Sequence, residues 1–455
     1  MRASVYIETI GCQMNVADTE RAATRLREAG YNVTPSVERA DVVLFNTCSV
    51  RAKAAQKVFK RIGDIGRLRS GREPLVGLMG CVGQLEGAAL FDHAPTLRLV
   101  AGTRATARLP ALIERALGGE ERTLDLGERG EGESWNVSMV ERHSPYVGFI
   151  PIIEGCNKFC SYCIVPFSRG RELSRSAAEI VCEIRNLRAQ GFREVQLIGQ
   201  NVNSYCPKVE DGLKNFSGAT AFSRLLRAVA ATGIERVKFT TSFPRDFHAD
   251  IVVAMDEHEN LCNWVHLPVQ SGNDRVLRAM RRGYKVADYL KRVDTIRRAR
   301  RSLALTSDII VGFPGETAEE FEDTMRLVER CQYDGLYIFK YSERPGTPAA
   351  AHTADNIPEE EKTARFLALE RLQREQQNVI YQGYVGRQVE VLVEGESAKS
   401  DLDMTGHSAC QKVINFPGSE ALKGQIINVR ITQAKTNSLY GEIVGQATPI
   451  SSSIG

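Results

Sequence analysis

The feature that most constrains the fold is a regular alternation of short apolar segments with longer helical segments, which starts near residue 4. In the first block the predicted strands are SVYIETI, DVVLFN, PLVGLMG and LRLVAG, and helices are predicted near 17–29 and 51–69. Strands that alternate with helices form parallel sheets, because each helix carries the chain back to the same edge. The first block is therefore predicted to be an α/β domain with a parallel sheet.

A longer alternation of the same kind follows. Its predicted strands are YVGFIPII, EVQLIG, RVKFTT, WVHLPV, LALTSDIIVGF and GLYIFKYS, each followed by a helical segment. Six such units predict an incomplete version of the (β/α)8 barrel, open on one side. Its last long helix is predicted at 358–377.

The C-terminal segment changes character. QVEVLVEGE, KVINF, QIINVRITQA and SLYGEIV alternate apolar and polar residues between Gly-bearing turns, which predicts a small all-β barrel. A chain of 455 residues is also too long for one hydrophobic core. The predicted divisions are an N-terminal domain at 1–118, a linker at 119–142, a central domain at 143–376, the barrel at 377–445 and a tail at 446–455.

Composition restricts the cellular setting and the chemistry. The chain is 43% hydrophobic and 25% charged, and it lacks both a signal-peptide core and an apolar run of the ~18 residues that a membrane helix needs. We therefore expect a cytoplasmic protein with no membrane partner. Eleven cysteines in a reducing compartment are not expected to form disulfides, so a clustered subset points to metal or redox chemistry.

The first cysteine cluster lies in EGCNKFCSYC, directly after the first predicted barrel strand. We call Cys156, Cys160 and Cys163 the loop triad. Three thiolates at this spacing can ligate three irons of a [4Fe–4S] cluster and leave the fourth iron open to a chelating molecule. The alternatives are a zinc site, which usually requires four ligands, and three buried thiols.

A second group is dispersed in sequence but similar in context, since Cys12, Cys48 and Cys81 each follow a predicted strand within two residues. We call these residues the sheet triad. The carboxyl ends of parallel strands share one edge, where open α/β folds bind ligands, so the three thiols are predicted to converge. They form either a second cluster site or three unrelated buried cysteines. The other five cysteines, which share no such placement, are predicted to be unrelated: Cys182, Cys206, Cys262, Cys331 and Cys410.

The loop triad, with Tyr162 before its last cysteine, resembles the signature of the radical S-adenosylmethionine superfamily. The resemblance implies that S-adenosylmethionine chelates the open iron and is cleaved to a 5′-deoxyadenosyl radical. It also implies a set of cofactor contacts, which are Tyr162 near the adenine, Gln200 and Asn201 after the second barrel strand, and Gly312 and Phe313 after the fifth.

Nearly the whole chain resembles the methylthiotransferase family, which has an N-terminal cluster domain, a radical domain and a C-terminal TRAM domain. The supporting stretches are VPFSRGRELSR, IGQNVNSY, HLPVQSGNDRVLRAM, SDIIVGFPGET and YSERPGTPAA. The resemblance implies that both triads ligate [4Fe–4S] clusters. It further implies that one S-adenosylmethionine methylates sulfur at the sheet triad, while the radical removes hydrogen from carbon 2 of adenine.

GCQMN and YIFKYSERPGTPAA are similar to the branch of this family that acts on N6-dimethylallyladenosine next to the tRNA anticodon. The alternatives are the branch that acts on threonylcarbamoyladenosine and, less compatible with GCQMN, the one that modifies a ribosomal protein. The implied partners are a tRNA anticodon stem-loop, an electron donor such as flavodoxin or ferredoxin, and a sulfur source. An electron-transfer protein would instead need four ligands per cluster, and a non-catalytic RNA-binding protein would need neither triad.

The distribution of charge does not identify one RNA-binding surface. The net charge is +3, and 378–444 contain six Lys or Arg against seven Asp or Glu, so the C-terminal barrel is near neutral. It is predicted either to bind RNA or to serve as a docking module. Basic candidates are the segments RAMRRGYK and TIRRARRS, and three arginines after the loop triad are predicted to meet phosphate or a cofactor carboxylate: Arg169, Arg171 and Arg175.

Overall fold

The computed structural model describes residues 2–49, 52–65, 73–127, 142–398 and 400–445, with the backbone alone at 52–55 and 401. The predicted tail and most of the predicted linker, residues 128–141, lie outside this part of the chain. Within it, no helix has the length and apolar character needed to cross a membrane.

The N-terminal domain is a six-stranded parallel sheet with a hydrophobic core on each face. In spatial order its strands are Asn32–Val33, Ser4–Ile10, Val42–Thr47, Leu75–Gly80, Leu97–Ala101 and Thr123–Asp125. The helices that cover them are Gln13–Glu28, Ala52–Ile65, Cys81–Glu86, Leu90–His93 and Leu109–Leu117. The predicted parallel α/β arrangement is confirmed.

Two short edge strands were not predicted. Asn32–Val33 has only two residues, and Thr123–Asp125 lies inside the segment predicted to be a linker. Thr123–Asp125 pairs in parallel with Leu97–Ala101, so the sheet extends beyond residue 118.

The central domain contains the six predicted parallel strands in two three-stranded sheets. They are Val147–Pro151, Glu194–Ile198 and Arg236–Phe239, followed by Trp264–His266, Ala304–Val311 and Gly335–Lys340. A parallel bridge between Val237 and Leu261 connects the two sheets into one curved wall. The helices of this domain are Val165–Arg169, Ala177–Ala189, Ala221–Ala230, Ala249–Glu257, Asp274–Ala279, Val286–Arg297, Ala318–Cys331, Pro348–His352 and Glu359–Gln382.

In the described residues the first and last strands of this wall do not pair with each other, which leaves the predicted barrel open on one side. Outward side chains such as Val195, Leu197 and Ile309 pack against the helices in the largest hydrophobic core of the protein. The long last helix was predicted to end near residue 377, and it continues to Gln382.

The C-terminal domain is a closed five-stranded barrel. Its strands are Gln388–Ser397, Ser400–Ser408, Val413–Pro417, Ile426–Ala434 and Leu439–Ile443. Sequence analysis missed Ser400–Ser408, whose segment SDLDMTGHS is mostly polar and contains a glycine. This C-terminal barrel contacts the amino end of a central-domain strand. There Lys412 of the barrel pairs with Asp334, which directly precedes the strand Gly335–Lys340, at 2.6 Å.

Candidate active site

The loop that carries the loop triad is fixed at its start by close backbone packing. Gly155 has φ +81°, and a Cβ there would lie 2.1 Å from the carbonyl oxygen of Arg171, so glycine is required. Its N–H donates to Oε1 of Gln200 at 2.7 Å, and the N–H of Cys156 donates to the carbonyl of Gly170 at 3.0 Å. The first cysteine therefore has a defined position before any cofactor binds.

The middle of the same loop is fastened to two other segments through Ser161. Its N–H donates to the carbonyl of Met280 at 3.0 Å, and its carbonyl accepts from the N–H of Ala349 at 2.7 Å. The hydroxyl donates to the carbonyl of Ala279 at 2.8 Å. The YSERPGTPAA segment thus contributes to the loop triad through Ala349.

The three thiols of the loop triad lie close together. Burial, together with the neighbouring charge of Cys160, raises the pKa of Cys156 and raises that of Cys163 to about 12. A cluster of like-charged thiolates without a counterion is unfavourable, so the site is suited to a cationic iron centre.

Two sulfurs of the loop triad already accept hydrogen bonds. Nδ2 of Asn201 donates to Sγ of Cys156 at 3.1 Å, and Nη1 of Arg282 donates to Sγ of Cys160 at 3.4 Å. Arg282 is buried, and its guanidinium lies over the ring of Phe243 at 4.5 Å. Hydrogen bonds to ligand sulfurs tune iron–sulfur sites, so these donors fit a cluster at this position.

The sheet triad is assembled by strand register. Ile10, Thr47 and Gly80 are aligned partners on three neighbouring strands, and the cysteines follow them directly or after one intervening residue. The N–H of Cys48 donates to the carbonyl of Ile10 at 3.2 Å. As predicted, the three cysteines lie together at the carboxyl edge of the sheet.

The thiols of the sheet triad influence one another electrostatically. A hydrogen bond with Cys48, aided by the Arg169 guanidinium, lowers the pKa of Cys12 to about 6 against the effect of burial. Burial raises the pKa of Cys81, and the charge of Cys12 adds to this rise. The Arg169 guanidinium opposes it.

Two buried hydroxyls fit a bound group at the sheet triad, and close packing requires glycine beside it. The hydroxyl oxygens of Thr47 and Ser49, on either side of Cys48, are buried and make no hydrogen bond with the residues that the structure describes. Gly80 has φ +92°, and a Cβ there would lie 2.3 Å from Oδ1 of Asn46. Unsatisfied buried hydroxyls are costly, and the sulfide and thiolate sulfurs of a cluster can accept their hydrogen bonds.

Arg169 connects the two halves of the site. It comes from the helix that follows the loop triad, yet its guanidinium pairs with Asp18 of the N-terminal domain at 2.7 Å and with Glu154 at 3.2 Å. All three side chains are buried. The backbone carbonyl of Arg169 also accepts from Nη2 of Arg104 at 2.7 Å, so the domain contact forms beside both triads.

Four of the five predicted cofactor contacts lie at the cysteine loop. The rings of Tyr162 and Phe313 meet edge to face at 6.5 Å. Gln200 and Asn201 contact the cysteine loop as described above. Gly312, which directly precedes Phe313, has φ +68°, and its N–H donates to Oε2 of Glu316 at 2.7 Å. Direct contact of any of the five with S-adenosylmethionine stays a prediction.

Three predictions about basic residues need correction. Arg169 and Arg175 are buried in ion pairs, the latter with Glu183 at 2.5 Å, so neither faces phosphate or a cofactor carboxylate. Arg282 was predicted only as part of a basic RNA-binding segment, RAMRRGYK, and it contacts Cys160 instead. Its role was missed because the contact joins residues 122 positions apart. Arg171 is exposed, and its predicted role is untested.

In the described part of the chain, no three His, Cys, Asp or Glu side chains are placed to hold a single metal ion. In a cubane cluster, by contrast, each cysteine ligates a different iron. All eleven cysteines are free thiols.

Comparison with known proteins assigns the three domains. Residues 4–102 match the uncharacterized protein family UPF0004, residues 150–328 match the radical SAM superfamily, and residues 382–444 match the TRAM domain. A solved structure of the radical S-adenosylmethionine methyltransferase TsrM from Kitasatospora setae, with cobalamin and a [4Fe-4S] cluster bound, has a similar fold. Its TM-score is 0.58 at 16% identity, over 77% of this chain and 74% of that one.

Full-length relatives are much more similar. The tRNA-2-methylthio-N(6)-dimethylallyladenosine synthase of Koribacter versatilis is 43% identical over 97% of this chain and 98% of its own length. The protein of the same name from Solibacter usitatus is 44% identical, over 96% of this chain and 97% of its own. The chain therefore belongs to the family of tRNA-2-methylthio-N(6)-dimethylallyladenosine synthases.

Proposed function

We propose that this protein adds a methylthio group to carbon 2 of N6-dimethylallyladenosine next to the anticodon of tRNA. The names of its full-length relatives support this substrate. The observation that carries the proposal is the arrangement of two cysteine triads on two domains, joined through buried Arg169.

In this proposal the loop triad holds one [4Fe–4S] cluster and the sheet triad holds a second. With S-adenosylmethionine bound, the loop-triad cluster would supply a 5′-deoxyadenosyl radical, and the sheet-triad cluster would supply the sulfur to be transferred. A radical is needed because the hydrogen on carbon 2 of adenine is not acidic enough for a positioned base.

The protein's own residues position and shield this chemistry. Asn201 and Arg282 fix two sulfurs of the loop triad, while Ser161 and Ala349 hold the loop against its neighbours. Tyr162 and Phe313 form an apolar wall beside it and exclude water from a reactive intermediate.

The proposed partners are a tRNA anticodon stem-loop, a one-electron donor such as flavodoxin or ferredoxin, and a sulfur source. A cytoplasmic location suits all three, and the free thiols are compatible with a reducing compartment.

The direct test uses anaerobically reconstituted enzyme with anticodon stem-loops that carry dimethylallyladenosine or threonylcarbamoyladenosine, and with a ribosomal-protein target. Mass analysis of nucleosides and protein should find methylthio product only on the dimethylallyladenosine substrate. Cys182→Ser, which changes an exposed thiol outside both triads, should retain full activity. Equal or greater product on threonylcarbamoyladenosine would contradict the proposed substrate.

A further inference from the structure

The inner face of the partial barrel differs from a closed barrel core. Outward side chains of its strands pack against the helices, and the inner face carries alternating residues such as His266, Asp308 and Tyr337. Closed (β/α)8 barrels fill this space with branched apolar residues. Polar and aromatic groups here indicate a surface built for a ligand.

This inner face extends between the two triads. On one side, Cys12 packs in a cluster with Phe149 and Ile198 of the first two barrel strands. On the other side, Ile310 packs in a cluster with Tyr162 of the cysteine loop. The inner face therefore extends from residues that pack with Cys12 to a residue that packs with Tyr162.

Two aromatic residues on the last strand are exposed although they belong to the inner face. Leu336 and Ile338 pack on the core, whereas Tyr337 and Phe339 are 52% and 45% exposed. The Tyr337 ring meets His266 edge to face at 5.8 Å, which places both on the same surface. Exposed aromatic faces of this kind are the usual stacking platforms for unpaired bases.

A polar group lies beside these rings. Nε2 of His266 is 3.4 Å from Oδ1 of Asp308, and its Nδ1 is 3.0 Å from the hydroxyl of Thr306, which also accepts from Nε1 of Trp264 at 3.0 Å. The Asp308 side chain is partly exposed, so its carboxylate can still accept a hydrogen bond from a ligand.

We propose that Tyr337, Phe339 and Asp308 form the subsite that selects the modified adenine, a deduction that rests on the proposed function. The aromatic rings hold the purine and its apolar dimethylallyl group. The Asp308 carboxylate accepts the single N–H on N6 of the substituted base. A threonylcarbamoyl group at N6 brings its own carboxylate, which Asp308 repels, so the same residue disfavours the substrate of the neighbouring branch.

The test measures binding of reconstituted enzyme to three stem-loops, with dimethylallyladenosine, adenosine or threonylcarbamoyladenosine beside the anticodon. Tyr337→Ala and Phe339→Ala should each weaken binding of the dimethylallyl stem-loop about tenfold, a loss typical of one base–aromatic stack. Both variants should also reduce the preference for the dimethylallyl stem-loop over the adenosine stem-loop. Phe339→Tyr, which keeps an aromatic ring, should retain most of this preference. Leu367→Ala, a truncation of a half-exposed residue on the last helix of the central domain, is the matched control and should bind as wild type.

Asp308→Asn should narrow the ratio of dimethylallyl to threonylcarbamoyl binding, because the repulsion is removed. The subsite is overturned if wild-type enzyme makes methylthio product while the Tyr337, Phe339 and Asp308 variants keep wild-type affinity and preference. If wild-type enzyme neither prefers nor modifies the dimethylallyl stem-loop, the proposed function itself fails and this subsite fails with it.

Discussion

The two cysteine triads bring three thiols together by different routes. The loop triad lies within eight consecutive residues, and its shape depends on a local backbone turn at Gly155. The sheet triad draws its thiols from three strands and depends on their register across the sheet. The spacing within a short loop therefore reveals a site in the sequence, although tertiary contacts also hold that loop, whereas the spacing of cysteines at a sheet edge reveals nothing until the strands are aligned.

The comparison predicts that the triads bind iron independently. Reconstituted enzyme should contain about eight irons, and replacing the loop triad by Ala should leave about four. The corresponding change in the sheet triad should also leave about four, and both variants should lose all methylthio product. Iron analysis of the purified variants checks this, and retention of all iron in either one would disprove two separate sites.

The connection between the triads should be important for stability. Arg169→Ala removes one buried counter-charge from Asp18, which keeps its pair with Arg21, and from Glu154, so the free energy of unfolding should fall by about 3 kcal/mol. Arg374→Ala breaks an exposed ion pair with Glu370 and should change the free energy of unfolding by less than about 1 kcal/mol.

Urea unfolding of both variants, followed by circular dichroism, provides the measurement. If Arg169→Ala lowers the free energy of unfolding no more than Arg374→Ala does, the buried ion pairs do not hold the two triads in their relative positions.

Smaller effects should distinguish the backbones of the two sites. Gly155→Ala and Gly80→Ala place a methyl group at positive φ, which costs about 1–3 kcal/mol. The effect should be larger at Gly155, where the obstacle is a backbone carbonyl, than at Gly80, where it is mainly the Asn46 side chain. Gly63→Ala, in a helix with open space around it, should raise stability by up to about 1 kcal/mol. Thermal melting ranks the three variants, and equal losses at Gly155 and Gly63 would contradict this reasoning.

Sequence reasoning recovered most of the fold because the parallel strands are short, apolar and separated by helices. It missed strands without that pattern, such as the polar strand Ser400–Ser408 and the edge strand Thr123–Asp125. It found both triads through strand ends and loop spacing. It could not find the contacts of Arg169 and Arg282, because their partners are distant in sequence and nothing local distinguishes a buried arginine from a solvated one.

The most direct test of the account compares Cys48→Ala with Cys160→Ala in the same assay, which measures 5′-deoxyadenosine and methylthiolated tRNA together. Circular dichroism of both variants verifies that they are folded. With these roles for the two triads, Cys48→Ala should still form 5′-deoxyadenosine but no methylthio product, while Cys160→Ala should form neither. Methylthiolated tRNA at near wild-type yield from the Cys48 variant would contradict the assignment of the sheet triad as the sulfur-delivering site.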